Sequence, residues 1–161
     1  MSRRKVVKVF VQGSFDLMHY GHLKYLKKCK EHGDYLIVGV NTDRLYKKYK
    51  NKKPIIPYEY RKEVVRSLEF VDEVIPAPHF SPIKLLKKYD VDIFIIFDEW
   101  KDTKAEEIKF MKSKGAKAIV VSFPDKTLSS TDIKRNVLHN YLKGIELCPS
   151  CQKKIYKNLA R

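Results

Sequence analysis

Residues 6–22 read VVKVFVQGSFDLMHYGH. The run VVKVFV at 6–11 is short, β-branched and aromatic, which marks a buried strand rather than a helix. Helical periodicity follows at once, with Leu23, Leu26 and Cys29 on one face over 20–32. The change from strand to helix therefore falls inside GSFDLMHYGH at 13–22, with Gly13 on the strand side and His19 and His22 on the helix side.

The same alternation recurs along the chain. YLIVGV (35–40), DEVI (72–75), DIFIIF (92–97) and AIVVSF (118–123) are further short apolar runs. Between them, Tyr60, Val64 and Leu68 keep helical spacing in a segment starting near Pro57. Ser81-Pro82 predicts an N-cap with proline at the first helical position, opening IKLLKKY. Thr103 with Glu106 predicts a capping box for a helix that Gly115 ends. A last helix follows Ser129-Ser130 and runs to about Leu142. Five such alternations define an α/β, doubly wound, five-stranded parallel sheet of Rossmann-like type with right-handed crossovers. Ligands of such sheets bind beyond the carboxyl ends of the strands. GSFDLMHYGH, the segment after YLIVGV, FDEW (97–100) and DKTLSST (125–131) are expected to meet there.

The chain has 161 residues, of which 34 are Lys or Arg and 19 Asp or Glu, a formal charge of +15. Its length fits one domain over 1–143 followed by a tail over 144–161 that carries CPSC. The positive charge favours phosphate-bearing partners. Three cysteines make no disulfide framework. With no leader and no apolar run near 18 residues, a cytoplasmic chain without membrane insertion is expected.

At the first strand–helix junction, Gly13 permits close backbone approach and the helix start offers free N–H groups to an anion. His19 and His22 share a helix face there, and Gly21 between them leaves the backbone open. Three readings compete. The pair holds an anion, or ligates zinc with Asp16 or Asp98 as a third ligand, or simply caps and packs. Position, glycines and basic surroundings favour the anion. Ser129, Ser130 and Thr131 offer hydroxyls and amides at another helix start, suited to a second phosphate. No G-x-x-x-x-G-K-[ST], no G-x-G-x-x-G and no serine at a nucleophile elbow is present.

GSFDLMHYGH resembles the G-[TS]-F-D-x-x-H-x-G-H signature of nucleotidyltransferases of the cytidylyltransferase superfamily. The similarity continues through GDYLIVGVNTD (33–43), YEYRKEVVRSLEFVDEVI (58–75), FDEW and SSTDIK (129–134). Within the superfamily, YEYRK, VDEVIP and DEW look most like the glycerol-3-phosphate cytidylyltransferases. The resemblance implies that a phosphorylated alcohol attacks the α-phosphate of CTP and releases pyrophosphate. His19 and His22 would hold the triphosphate, with Lys50 and Lys52 of a loop at 47–53 closing over it. Gly13, Ser14, Phe15, Gly21, Asp98, Trp100, Lys126, Ser129, Ser130 and Thr131 would bind the nucleotide. Asp16 and Arg61 would serve the acceptor. A divalent cation, Mg²⁺, is expected with the triphosphate, and the resemblance implies a homodimer.

The chain departs from the family pattern in two places. PDKTLSST lacks the usual arginine and glycine, leaving Lys126 as substitute, and Phe97 stands where related enzymes commonly have glycine. Both keep open an adenylyltransferase that uses ATP with a sugar phosphate or FMN. A basic nucleic-acid-binding protein is the alternative from another class, but recognition motifs and interleaved stacking aromatics are absent. Cys148 and Cys151 have the spacing of half a structural zinc site, with His139 and Cys29 as internal candidates to complete it. The tail lies outside the resemblance.

Overall fold

Five strands form one all-parallel sheet in the order β3-β2-β1-β4-β5. They are β1 (Lys8–Gly13), β2 (Tyr35–Asn41), β3 (Glu73–Ala77), β4 (Ile93–Phe97) and β5 (Lys117–Val121). This computed structural model describes residues 4–122 and 129–143. The helices are α1 (Tyr20–Lys30), α2 (Asp43–Lys50), α3 (Tyr58–Arg66), α4 (Ile83–Lys88), α5 (Ala105–Ser113) and α6 (Ser130–Lys143), with a 3-10 turn at Asp98–Thr103.

Strand alternation divides the core into two layers. Val9 and Val11 of β1 meet Tyr25, Leu26 and Cys29 of α1 and Val65 of α3. Phe10 turns the other way, towards Leu86 of α4 and Met111 of α5. Each fully buried Val, Leu, Ile or Phe contributes about 1.5–3 kcal/mol, so both helix layers are held mainly by apolar burial. The central strands are covered on both faces, as a parallel sheet requires.

The strand order reverses beside β1: β2 and β3 lie on one side, β4 and β5 on the other. A crevice opens at such a reversal, at the carboxyl ends. The loop after β1 and the turn after β4 therefore flank the switch point. At the opposite edge, carboxylates hold the strand starts: Asp34 accepts from the Val7 N–H at 2.9 Å, Asp72 from the Leu36 N–H at 2.6 Å and Asp92 from the Lys8 N–H at 3.0 Å.

The helix boundaries differ from expectation in three places. The lysines at 47–50, expected in a loop, form the last turn of α2, where cations complement the carbonyl end of the dipole. Thr42 starts that helix by accepting from the Leu45 N–H at 3.3 Å, and Asn51 ends it in the left-handed region (φ 52°). Pro82, rather than Ser81, is the N-cap of α4, without a side-chain cap bond. Thr103 belongs to the 3-10 turn, donating to the Trp100 carbonyl at 2.8 Å, so α5 starts after Lys104 with no capping box. Gly115 does follow the end of α5 with φ 70°.

The chain divides into two compact units, Met1–Lys126 and Thr127–Arg161. The tail expected over 144–161 lies outside the described residues. In the second unit, α6 opens on a capping box. Ser129 Oγ accepts from the Asp132 N–H at 3.1 Å, and Asp132 accepts from the Ser129 N–H at 2.9 Å.

Candidate active site

The loop after β1 is shaped by backbone conformations that side chains rarely adopt. Phe15 (φ 53°) and Leu17 (φ 49°) both lie in the left-handed region, a cost that surrounding structure must offset. The Phe15 ring folds back under β1, where a Cβ on Gly13 would meet it at 2.8 Å. That contact explains the glycine. Phe15 is buried and its ring meets His22 edge-on at 5.6 Å. It backs the histidine pair rather than forming an open pocket wall.

His19 and His22 build a capping box from imidazoles. His19 is the N-cap of α1, and its Nδ1 accepts from the Gly21 N–H at 3.1 Å. His22 Nδ1 accepts in return from the His19 N–H at 3.4 Å. The capping and anion readings are therefore the same geometry. With Nδ1 an acceptor in both rings, each neutral imidazole carries its proton on Nε2, a donor suited to phosphate oxygen. The rings lie 4.1 Å apart. Burial, helped by neighbouring His19, lowers His22 to about 4 against the opposing pull of Asp16. His22 is thus neutral at ordinary pH. Gly21 is buried in this first turn.

The residues expected to serve the acceptor hold the loop. Asp16 is buried, and its Oδ1 accepts from the N–H groups of Ile55 and Ile56, both at 3.0 Å. The Tyr46 hydroxyl donates to Asp16 Oδ2 at 3.4 Å, and burial with that carboxylate pushes Tyr46 up to about 12. The Arg61 side chain is 0% exposed. It donates to the Ile56 carbonyl at 2.8 Å, the Asn41 carbonyl at 2.9 Å, the Ser14 carbonyl, and Asp43 at 2.6 Å. So engaged, Arg61 braces the loop.

Beside this brace runs a polar row. Gln12 Nε2 donates to Asn41 Oδ1 at 2.8 Å and to the His79 carbonyl at 2.9 Å. Asn41 Nδ2 donates to Ser14 Oγ and to the Tyr49 hydroxyl, both at 3.3 Å. Ser14 and Tyr49 are hydrogen-bonded to each other through their hydroxyls. Tyr49 then meets Trp100 edge-on at 6.1 Å, and Trp100 meets Phe80 at 5.2 Å. Asn41, Tyr49 and Phe80 were not singled out from the sequence: Asn41 stood inside the GDYLIVGVNTD similarity without a role of its own, and Tyr49 and Phe80 carry no distinguishing motif or periodicity.

The remaining expected residues lie on several elements. Lys50 lies at the end of α2 with its ammonium 5.6 Å from the Tyr49 ring centroid, and Lys52 is exposed just beyond. Asp98 starts the 3-10 turn after β4, its Oδ1 accepting from the Glu99 N–H at 3.0 Å. Phe97 turns to the α1 side and meets Tyr25 edge-on at 5.9 Å. Ser129, Ser130 and Thr131 belong to the second unit, where the cap engages Ser129. Lys126, Cys148 and Cys151 lie outside the described residues. Cys29 is a core residue whose thiol burial pushes up to about 12, unsuited to metal. Among the described residues no group of three or more His, Cys, Asp or Glu side chains gathers as a metal cage.

A doubly wound parallel sheet with paired imidazoles at the first helix start defines a protein of the phosphate-handling, nucleotide-binding class. The chain belongs to the cytidylyltransferase-like family, whose model matches residues 10–136. It is 45% identical over 95 residues to a glycerol-3-phosphate cytidylyltransferase of Bacillus spizizenii, covering 58% of this chain and 73% of that protein. It is 37% identical over 142 residues to an FAD synthase of Pyrococcus abyssi, covering 84% and 95% of the two chains. Among solved structures, a lipopolysaccharide core biosynthesis protein from Thermoplasma volcanium superposes with a TM-score of 0.64 at 27% identity, over 75% of this chain and 98% of that one.

Proposed function

We propose that this protein is a nucleotidyltransferase that makes a CDP-alcohol, with glycerol 3-phosphate as its acceptor. A phosphate oxygen of the acceptor attacks the α-phosphorus of CTP. One P–O bond forms, the bond to the bridging oxygen breaks, and its electron pair leaves with pyrophosphate. The observation that carries this reading is the histidine capping box at the switch point. It sets two imidazoles at the amino end of α1, where a triphosphate would lie.

Displacement at phosphorus needs position and charge neutralisation more than a covalent nucleophile. Nε2–H donors of His19 and His22 hold the α-phosphoryl oxygens as negative charge grows in the transition state. The brace through Asp16 and Arg61 keeps the loop rigid, so those donors need not reorganise. Lys50 and Lys52 add positive charge where α2 ends. The Mg²⁺ we propose would accompany the triphosphate and would supply charge neutralisation to its oxygens, beside the donors of His19 and His22.

A pyrophosphate-release assay with CTP, ATP, UTP and GTP against glycerol 3-phosphate, phosphocholine, phosphoethanolamine, heptose 1-phosphate and FMN tests the reading. CTP with glycerol 3-phosphate is expected to dominate. Similarity to an FAD synthase over most of both chains supports ATP with FMN as the second reading. A homodimer, a cytoplasmic setting and zinc at Cys148 and Cys151 complete the proposal, and sedimentation, localisation and metal analysis test them. Among the described residues no helix is long and apolar enough to cross a membrane.

A further inference from the structure

Lys104 is buried at the start of α5, directly after the turn that carries Trp100. Its ammonium donates to the Phe80 carbonyl at 2.6 Å, pairs with Glu107 at 3.4 Å and lies 3.8 Å from the Phe80 ring centroid. It thereby ties the segment after β3 to the segment after β4. These strands sit on opposite sides of the switch point, separated by β2 and β1. The Phe80 ring then meets Trp100 at 5.2 Å and Tyr49 at 6.2 Å, and the Tyr49 hydroxyl is bonded to Ser14 of the signature loop.

A buried ion pair is a weak source of stability, because an apolar pair of similar volume would fill the same space without desolvation. What an apolar pair could not do is grip a backbone carbonyl. From this geometry we infer that Lys104 is a positioning residue. It fixes the Phe80–Trp100–Tyr49 wall against Ser14 and so sets how tightly a substrate is bound. The inference rests on the nucleotidyltransferase reading for its kinetic consequence, though not for the tie itself.

Trp100 is the single tryptophan of the chain, so its fluorescence reports on this wall alone. The double variant Lys104→Met/Glu107→Leu removes both charges together and leaves no orphaned carboxylate to unfold the protein. Its ligand-free Trp100 emission is expected to shift to the red, with easier acrylamide quenching. KM for at least one substrate rises about tenfold or more while kcat stays within about threefold, the pattern of lost uniform binding. Lys104→Arg, which keeps a donor for the Phe80 carbonyl, recovers most of both signals. Unmoved emission with unmoved KM overturns the inference, as does a fall in kcat at constant KM. If the wild-type protein turns over no substrate pair, the functional reading fails. The emission and quenching measurements then still decide whether Lys104 holds the wall.

Discussion

Asp16 and Arg61 grip the same residue from opposite sides. Asp16 Oδ1 accepts from the Ile56 N–H at 3.0 Å, and Arg61 Nε donates to the Ile56 carbonyl at 2.8 Å. Arg61 also reaches the Ser14 carbonyl, two residues before Asp16. The signature loop, with its two left-handed residues, is therefore buckled to the segment between α2 and α3. Two charged side chains that read as ligand contacts act on the backbone that presents the ligand contacts.

Removing either side of the buckle separates charge from donor geometry. Arg61→Met leaves the carbonyls of Ser14, Asn41 and Ile56 without their donor, and is expected to cost about 3 kcal/mol in urea unfolding. Asp16→Asn keeps an acceptor oxygen for the Ile55 and Ile56 N–H groups and is expected to cost about 1 kcal/mol or less. Asp16→Ala, which removes the acceptor, should fall nearer the Arg61 variant.

Capping and catalysis at His19 can be told apart by side-chain choice. His19→Asn retains an oxygen for the Gly21 N–H and should leave stability within about 0.5 kcal/mol, since asparagine is a preferred N-cap. It lacks the imidazole Nε2–H, so turnover should fall about a hundredfold or more. Chemical denaturation and initial rates on one preparation check both halves. Equal losses in stability and rate would assign His19 to the fold alone.

Acid should destabilise the protein through His22. Its folded value of about 4 lies below the ordinary 6.5, mainly because of burial. The unfolded chain therefore binds a proton first as pH falls, and stability drops from about pH 6.5 down to about 4, then levels. Above that window His22 contributes no pH dependence. Denaturation midpoints between pH 7.5 and 4 should show this slope, and His22→Gln should flatten it.

The lysines that end α2 act through charge rather than contact geometry. Lys50→Gln with Lys52→Gln is expected to raise the KM for the triphosphate several-fold at low salt, with the difference narrowing as salt screens the field. Rates at several salt concentrations provide the check.

The strands were legible because each is a short apolar run, and the three central ones, β2, β1 and β4, are buried on both faces as a parallel sheet requires. The histidine pair was legible because its spacing and its place at the end of β1 agree. Helix α2 was not, because its lysine-rich turn has the composition of a solvated loop and its Thr42 cap stands inside an apolar-to-polar transition. The bracing contacts of Arg61 and Asp16 were hidden for a plainer reason. A charged side chain in a signature looks the same in sequence whether it faces a ligand or a backbone carbonyl, and only burial separates the two. Lys104 was equally invisible among the many lysines of the chain.

The most direct measurement is pyrophosphate release from CTP and glycerol 3-phosphate with Mg²⁺, wild type beside His19→Asn. The account predicts pyrophosphate formed one-for-one with CDP-glycerol by the wild type, and about a hundredfold less by the variant. Equal rates from the two proteins, or silence of the wild type with both CTP and ATP across the acceptors, would contradict it.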